Sequence, residues 1–248
     1  MSDKRGFTLV EILVALGIGV IMLAAIYSMT NISQKTSSGM ERRIAAQQDE
    51  KTALELMAME IGMASYNPLS SADSLLWVNP TCNGPTSNPA YKGIQVATAN
   101  SITIQMDIND NGYIRNTTTG AVDPNEIISY SYDTGNLYIT RETNCGGGQP
   151  FLGDTVAGGR TRTVRVINGD ASIYNPVIPV FRYFDGINTD ITDQIPLNPA
   201  SSTTGIPAIR RIEITLAVET ENQDISNGQR KRMVYSTSVI VRNHVPAI

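Results

Sequence analysis

From Ile12 to Tyr27 the chain carries sixteen consecutive residues without a charged or strongly polar side chain. As a helix rising about 1.5 Å per residue, this run covers roughly 24 Å. With residues 7–10 before it and the tail to Ile32 after it, the apolar block reaches roughly 30 Å, the thickness of a bilayer core. Lys4 and Arg5 precede the block, and Glu11 lies inside it. A carboxylate in such a position costs roughly 3 kcal/mol or more in a membrane, so it normally has a partner. A cleaved secretory signal accounts for Lys4, Arg5 and the apolar run. An ordinary single-span anchor accounts for the length. Neither gives Glu11 a task.

The helical pattern continues past the apolar block. No Pro occurs before Pro68, and Gly39 is the only Gly between Gly19 and Gly62. Residues 40–64 are rich in helix formers. Within them Met40, Ile44, Leu54, Ala58 and Ile61 fall near helical spacing, which predicts one apolar stripe. The spacing predicts a single helix from about residue 7 to about residue 66, spanning roughly 90 Å and ended by Asn67-Pro68.

Beyond Pro68 the period changes from helical to strand-like. Strands are predicted at 75–78, 101–107, 127–133, 137–142, 163–168, 178–184, 209–220 and 233–242. The run Ile127 to Tyr132, then Asp-Thr-Gly-Asn, then Leu137-Tyr138-Ile139-Thr140 reads as a hairpin. The last two strands are the longest and predict an antiparallel pair turning at residues 226–229. Stretches 79–93, 143–162 and 185–207 are rich in Gly, Pro, Asn and Ser and are expected to be surface loops. The fold class is therefore α+β: one long helix on an antiparallel sheet domain.

Composition narrows the function. The formal net charge is −4, and no basic cluster exceeds Arg230-Lys231-Arg232, so no nucleic-acid surface is expected. One histidine, His244, and two cysteines cannot build a zinc cage. No P-loop, G-x-S-x-G or H-E-x-x-H is present, and no enzyme activity or resident cofactor is expected.

The order of the N-terminal features is specific. Lys4-Arg5-Gly6, then Phe7-Thr8-Leu9-Val10-Glu11, then about twenty apolar residues, resembles the class III signal of type IV pilins and pseudopilins. The resemblance implies that a prepilin peptidase removes residues 1–6 by cutting after Gly6, and that Phe7 is then N-methylated. It implies a membrane half of the helix at 7–32, an amphipathic half at 33–66, and a β-rich domain at 67–248. It also gives Glu11 a role, since in a helical stack its carboxylate can neutralise the α-ammonium of a neighbouring subunit and set the register. A plainer role is also open to it, as a complement to the helix dipole in the first turn.

The features "YSYD…LYITRE" and "VIVRN" are similar to those of PilW-type minor pilins and, alternatively, of J-type minor pseudopilins of type II secretion. Major pilins carry a Pro in the apolar half; this chain has none, which points away from a bulk subunit. The implied function is a minor pilin that joins others in priming pilus assembly at or near the filament tip. The implied partners are other minor pilins, the major pilin, the prepilin peptidase and the inner-membrane assembly platform. The implied location is the inner membrane, single-pass, with the N-terminus cytoplasmic and the domain periplasmic, then the filament.

Three local features remain. Cys82 and Cys145 are the only cysteines, and an even count in an exported domain favours one disulfide. Asp107, Asn109 and Asn111, followed by Gly112, match the start of a calcium loop. The acid required at its twelfth position is replaced by Thr118, leaving Asp123 or Glu126 as substitutes in a longer loop. Asn111-Gly112 also reads as an ordinary hairpin turn. Trp77 and the ten tyrosines are expected to pack in the sheet.

Overall fold

The computed structural model describes residues 6–116, 118–153, 162–224 and 228–245. The leader residues 1–5 and the centre of the predicted final turn, 225–227, lie outside them.

Helix α1 runs from Leu9 to Gly62 without a break, 54 residues or about 81 Å. Thr8 caps it in extended conformation, and Met63 closes the other end. The apolar stretch of α1 is long enough to cross a membrane, and none of it is buried within the protein. That separates it from the core helix of a globular domain, which hides its apolar face.

The C-terminal part of α1 lies on the sheets through three of the five residues of the expected stripe: Leu54 and Ile61 are buried and Ala58 packs against the core. Its buried residues are Ala46, Glu50, Ala53, Leu54, Met57, Glu60 and Ile61. Met40 and Ile44, expected in the stripe, are 61% and 54% exposed. The buried seat on the sheets begins at Ala46, and before it Gly39 and Arg42 still border the end of β8 at Thr220, Asn222 and Asp224.

Two antiparallel sheets complete the fold. The first is a meander of β1 (Ile94–Ala97), β2 (Ser101–Gln105), β3 (Ile127–Asp133), β4 (Tyr138–Thr143) and β5 (Gln149–Leu152), each paired with the next. The second contains β6 (Val164–Val166), β7 (Phe181–Phe184), β8 (Arg211–Thr220) and β9 (Arg232–Ile240). β9 pairs with nearly the whole of β8, from Arg211↔Ile240 to Glu219↔Arg232. The other edge of β8 is shared, β7 taking residues 211–214 and β6 taking 218–220.

The gap between β6 and β7 is bridged by a side chain. Asn168 is fully buried, its Oδ1 accepts from the Ala217 N–H at 2.8 Å, and its Nδ2 donates to the Thr215 carbonyl at 2.8 Å. The amide thus stands in for the missing strand residue, which satisfies backbone groups that would otherwise be buried unpaired. Gln105 does the same elsewhere: its Oε1 accepts from the Val78 N–H and its Nε2 donates to the Val78 carbonyl.

Several expected elements are corrected. The strand expected at 75–78 is instead a helical turn, α2 (Asp73–Leu76), closed by the Trp77 indole N–H donating to Asp73 Oδ1 at 2.8 Å. The stretch 143–162 is not all loop, because β5 forms across Pro150 at the sheet edge, where a missing N–H is tolerated. β1 had no counterpart among the expected strands. β7 begins only at Phe181, after Pro176 and Pro179, neither of which can donate to a ladder.

Most buried apolar residues form one core between α1 and the two sheets. A smaller cluster of Leu76, Trp77, Val78, Ile114 and Ile127 lies beside it, with Cys82 packed against its edge.

Candidate functional site

The sequence points to the N-terminus of α1, and the local geometry there is that of a built helix start. Thr8 and Glu11 form a reciprocal capping box. The Thr8 hydroxyl accepts from the Glu11 N–H at 3.3 Å, while Glu11 Oε2 accepts from the Thr8 N–H at 2.8 Å and its hydroxyl at 2.9 Å. Glu11 therefore has a task within its own chain. Only Oε2 is used; among the described residues Oε1 accepts no hydrogen bond, which leaves it open to a cation from outside.

Gly6 and Phe7 precede the cap in non-helical backbone. A Cβ at Gly6 would meet nothing within 4 Å, and Phe7 is 86% exposed. The peptide bond between them is thus held away from the folded domain. From Leu9 to Ile32 the large apolar side chains point outward and remain exposed. What this end offers chemically is an accessible peptide bond, a carboxylate near it and a long apolar surface.

The other candidates are placed as follows. Cys82 and Cys145 form a disulfide, with Cα atoms 6.2 Å apart. Asp107, Asn109 and Asn111 are brought together in the β2–β3 connection, with Asp123 and Glu126 across from them. Among the described residues, no group of three or more His, Cys, Asp or Glu side chains stands ready to hold a metal ion. Burial, assisted by Asp107 and Asp123, pushes Glu126 up to about 7.

Several polar residues that matter were not singled out in the sequence. Glu60, on the buried face of α1, is gripped by Arg141, with Nη2 to Oε1 at 2.6 Å and Nε to Oε2 at 3.0 Å, and it also accepts from the Tyr130 hydroxyl. This pair ties the helix to β3 and β4. Glu50, one helical face further back, is fully buried with neither carboxylate oxygen hydrogen-bonded. Burial pushes it up to about 8; the backbone N–H of Tyr235 lies nearby and offsets part of this without forming a hydrogen bond.

His244 is pinned rather than reactive. Its Nε2 donates to the Ile206 carbonyl and its Nδ1 accepts from the Ser65 hydroxyl, both at 2.9 Å, while Ser65 Oγ also accepts from the Gly93 N–H. Burial, with Arg210 and Lys92 nearby, holds the imidazole down at about 4. The knot fastens the C-terminal tail to the end of α1. A Cβ at Gly93 would come within 2.3 Å of the Ser65 nitrogen, so only glycine fits there.

A long helix, apolar and bare in one half and seated on antiparallel sheets in the other, defines a pilin-like α+β architecture. Compared with known protein families, residues 1–27 match the model of the prokaryotic N-terminal methylation motif. No curated protein and no solved structure matches the chain. The motif supports a type IV pilin-like class III signal on a membrane-anchored helix, and with it a structural role among the components of a pilus or pseudopilus system.

Proposed function

We propose that this protein is a PilW-type minor pilin: processed after Gly6, methylated at Phe7, held in the inner membrane by residues 7–32, and assembled with other minor pilins to prime a filament. The observation that carries this reading is the uninterrupted helix Leu9–Gly62 placed directly behind the methylation motif. A helix with no Pro and no break has no built-in point at which to melt when subunits pack densely. This favours a subunit used in few copies over one that forms the filament's bulk. In this reading the apolar half supplies non-directional packing, Glu11 Oε1 receives a neighbour's α-ammonium, and the sheets choose partners. The major pilin, the prepilin peptidase and the inner-membrane assembly platform are the remaining partners.

Co-expression with a prepilin peptidase tests the processing. The expected product lacks residues 1–6 and begins with N-methyl-Phe7 by intact mass; a cut near residue 30 would instead indicate an ordinary signal peptide. Glu11→Ala is expected to insert and be cleaved but to lose crosslinking to its partner subunits. Unchanged crosslinking would remove the register role. Capture with pilus components, rather than with components of type II secretion, separates the minor pilin from a J-type pseudopilin.

A further inference from the structure

We propose that the β2–β3 connection is a calcium site in which Asp107, Asn109, Asn111, Asp123 and Glu126 supply the side-chain oxygens. The inference concerns the domain alone and stands whatever filament the chain serves.

The two ends of the connection are fixed by the sheet. The Met106 N–H donates to the Glu126 carbonyl at 3.0 Å and prolongs the β2–β3 ladder by one step. Asp107 and Glu126 therefore stand side by side at the root of the loop, and both are fully buried. Asp107 accepts from the Asn111 and Gly112 N–H groups, at 3.2 and 2.9 Å, so the loop curls around its carboxylate. Gly112 permits the curl with φ of +81°. Across the loop, Asp123 Oδ2 accepts from the side-chain amides of Asn109 at 3.1 Å and Asn111 at 2.6 Å.

The independent observation is Glu126. Its Oε1 accepts from the Ile108 and Asn109 N–H groups, but its Oε2 is buried without any hydrogen-bond partner. None of Asp107, Asp123 and Glu126 forms an ion pair with a Lys, Arg or His among the described residues. A buried carboxylate oxygen left unpaired is costly and is relieved by protonation or by a bound cation. What favours a cation at Glu126 is the set of side-chain oxygens from Asp107, Asn109, Asn111 and Asp123 gathered in the same loop. The donor set holds only oxygens, which selects a hard cation; its many ligands on a flexible loop suit calcium rather than the strictly octahedral magnesium. The carboxylates do not yet converge on one point. The cation replaces the amide contacts to Asp123: the Asn109 and Asn111 amides rotate to present oxygen, and the loop closes. The Asp107 N–H donates to the Tyr66 carbonyl at 2.9 Å just past the end of α1, so closure stiffens the join between helix and sheets.

The test uses the full chain in detergent, stripped with EDTA, with melting followed by Trp77 fluorescence. Calcium at about 1 mM, the affinity range of extracellular calcium modules, is expected to raise Tm by several degrees, and magnesium at the same concentration is not. Terbium is expected to give emission sensitised through Tyr113 that calcium displaces. Asp123→Asn and Glu126→Gln are expected to weaken calcium at least about tenfold. Glu126→Gln is also expected to keep or raise the Tm measured in EDTA, which separates lost binding from lost folding. The proposal is overturned by a wild-type Tm indifferent to calcium, by an equal response to magnesium, or by variants that respond as the wild type does.

Discussion

Glu50 allows a quantitative test of how α1 sits on the second sheet. Its carboxyl is fully enclosed, neither oxygen is hydrogen-bonded, and burial raises its pKa from 4.5 to about 8. Below pH 4.5 the group is neutral in both the folded and the unfolded chain and has no effect on their balance. Between 4.5 and 8 the unfolded chain ionises while the folded one stays protonated, so stability falls as pH rises, by about 1.4 kcal/mol per unit. At pH 7 the cost is about 3 kcal/mol, and it levels off above pH 8. Glu50→Met replaces the carboxyl with an apolar group of similar length and removes the titration. The variant is expected to be more stable than wild type at pH 7 and to lose about 3 kcal/mol of that advantage at pH 4.5. Urea unfolding of both proteins across pH 4.5–8, followed by Trp77 fluorescence, measures this. Only the difference between the two curves is diagnostic, because Glu126 and His244 titrate in both proteins. A difference that does not change with pH would show that Glu50 is ionised and solvated in the folded chain, and the helix would not be seated as described.

Two further perturbations probe the same domain. A chain starting at Ser33 is expected to be soluble and folded, while one starting at Asn67 loses the burial of Leu54, Met57 and Ile61, worth roughly 5–9 kcal/mol, and melts far lower or aggregates; equal melting temperatures would show that the sheets do not need the helix. Cys82→Ser combined with Cys145→Ser is expected to destabilise the domain by roughly 4 kcal/mol on the loop-entropy estimate, read as a lowered urea midpoint, and an unchanged midpoint would mean the staple closes a loop already held by its own contacts.

The parts of the fold that were legible in the sequence are those with an unmixed pattern. β3 was expected at 127–133 and lies there, because Ile127, Ile128, Tyr130 and Tyr132 supply its buried positions. The helix was legible because nothing in it breaks a helix. Its contact line was caught at Leu54, Ala58 and Ile61 and missed before them for a physical reason: it also runs through Glu50 and Glu60, and a search for apolar spacing skips charged residues and takes in Met40 and Ile44 instead. Glu60 is acceptable there only because Tyr130 and Arg141 arrive from strands 70 and 81 residues away, which no local pattern encodes. Asn168 and Gln105 were passed over for a related reason. Each repairs a backbone ladder formed by distant segments, and each looks like an ordinary polar loop or strand residue in the chain. At the N-terminus, by contrast, Gly6, Phe7 and Glu11 were singled out because they are neighbours in sequence, whereas the reciprocal capping box of Thr8 with Glu11 was added by the structure.

The disulfide acquires a mechanical meaning in a chain held by one end in a membrane or filament. Cys82 and Cys145 are 63 positions apart, and β1 to β4 lie between them. Tension travelling along the backbone from α1 crosses at the sulfur atoms and skips those four strands. At about 3.4 Å per residue, roughly 210 Å of contour is withheld from stretching. Under load, β8 and β9 can be peeled from the second sheet, but the enclosed strands and the acidic loop between β2 and β3 bear none of the pull. Extension of the domain is therefore capped by a covalent bond, and whatever that loop binds is held in the part of the protein that force does not reach.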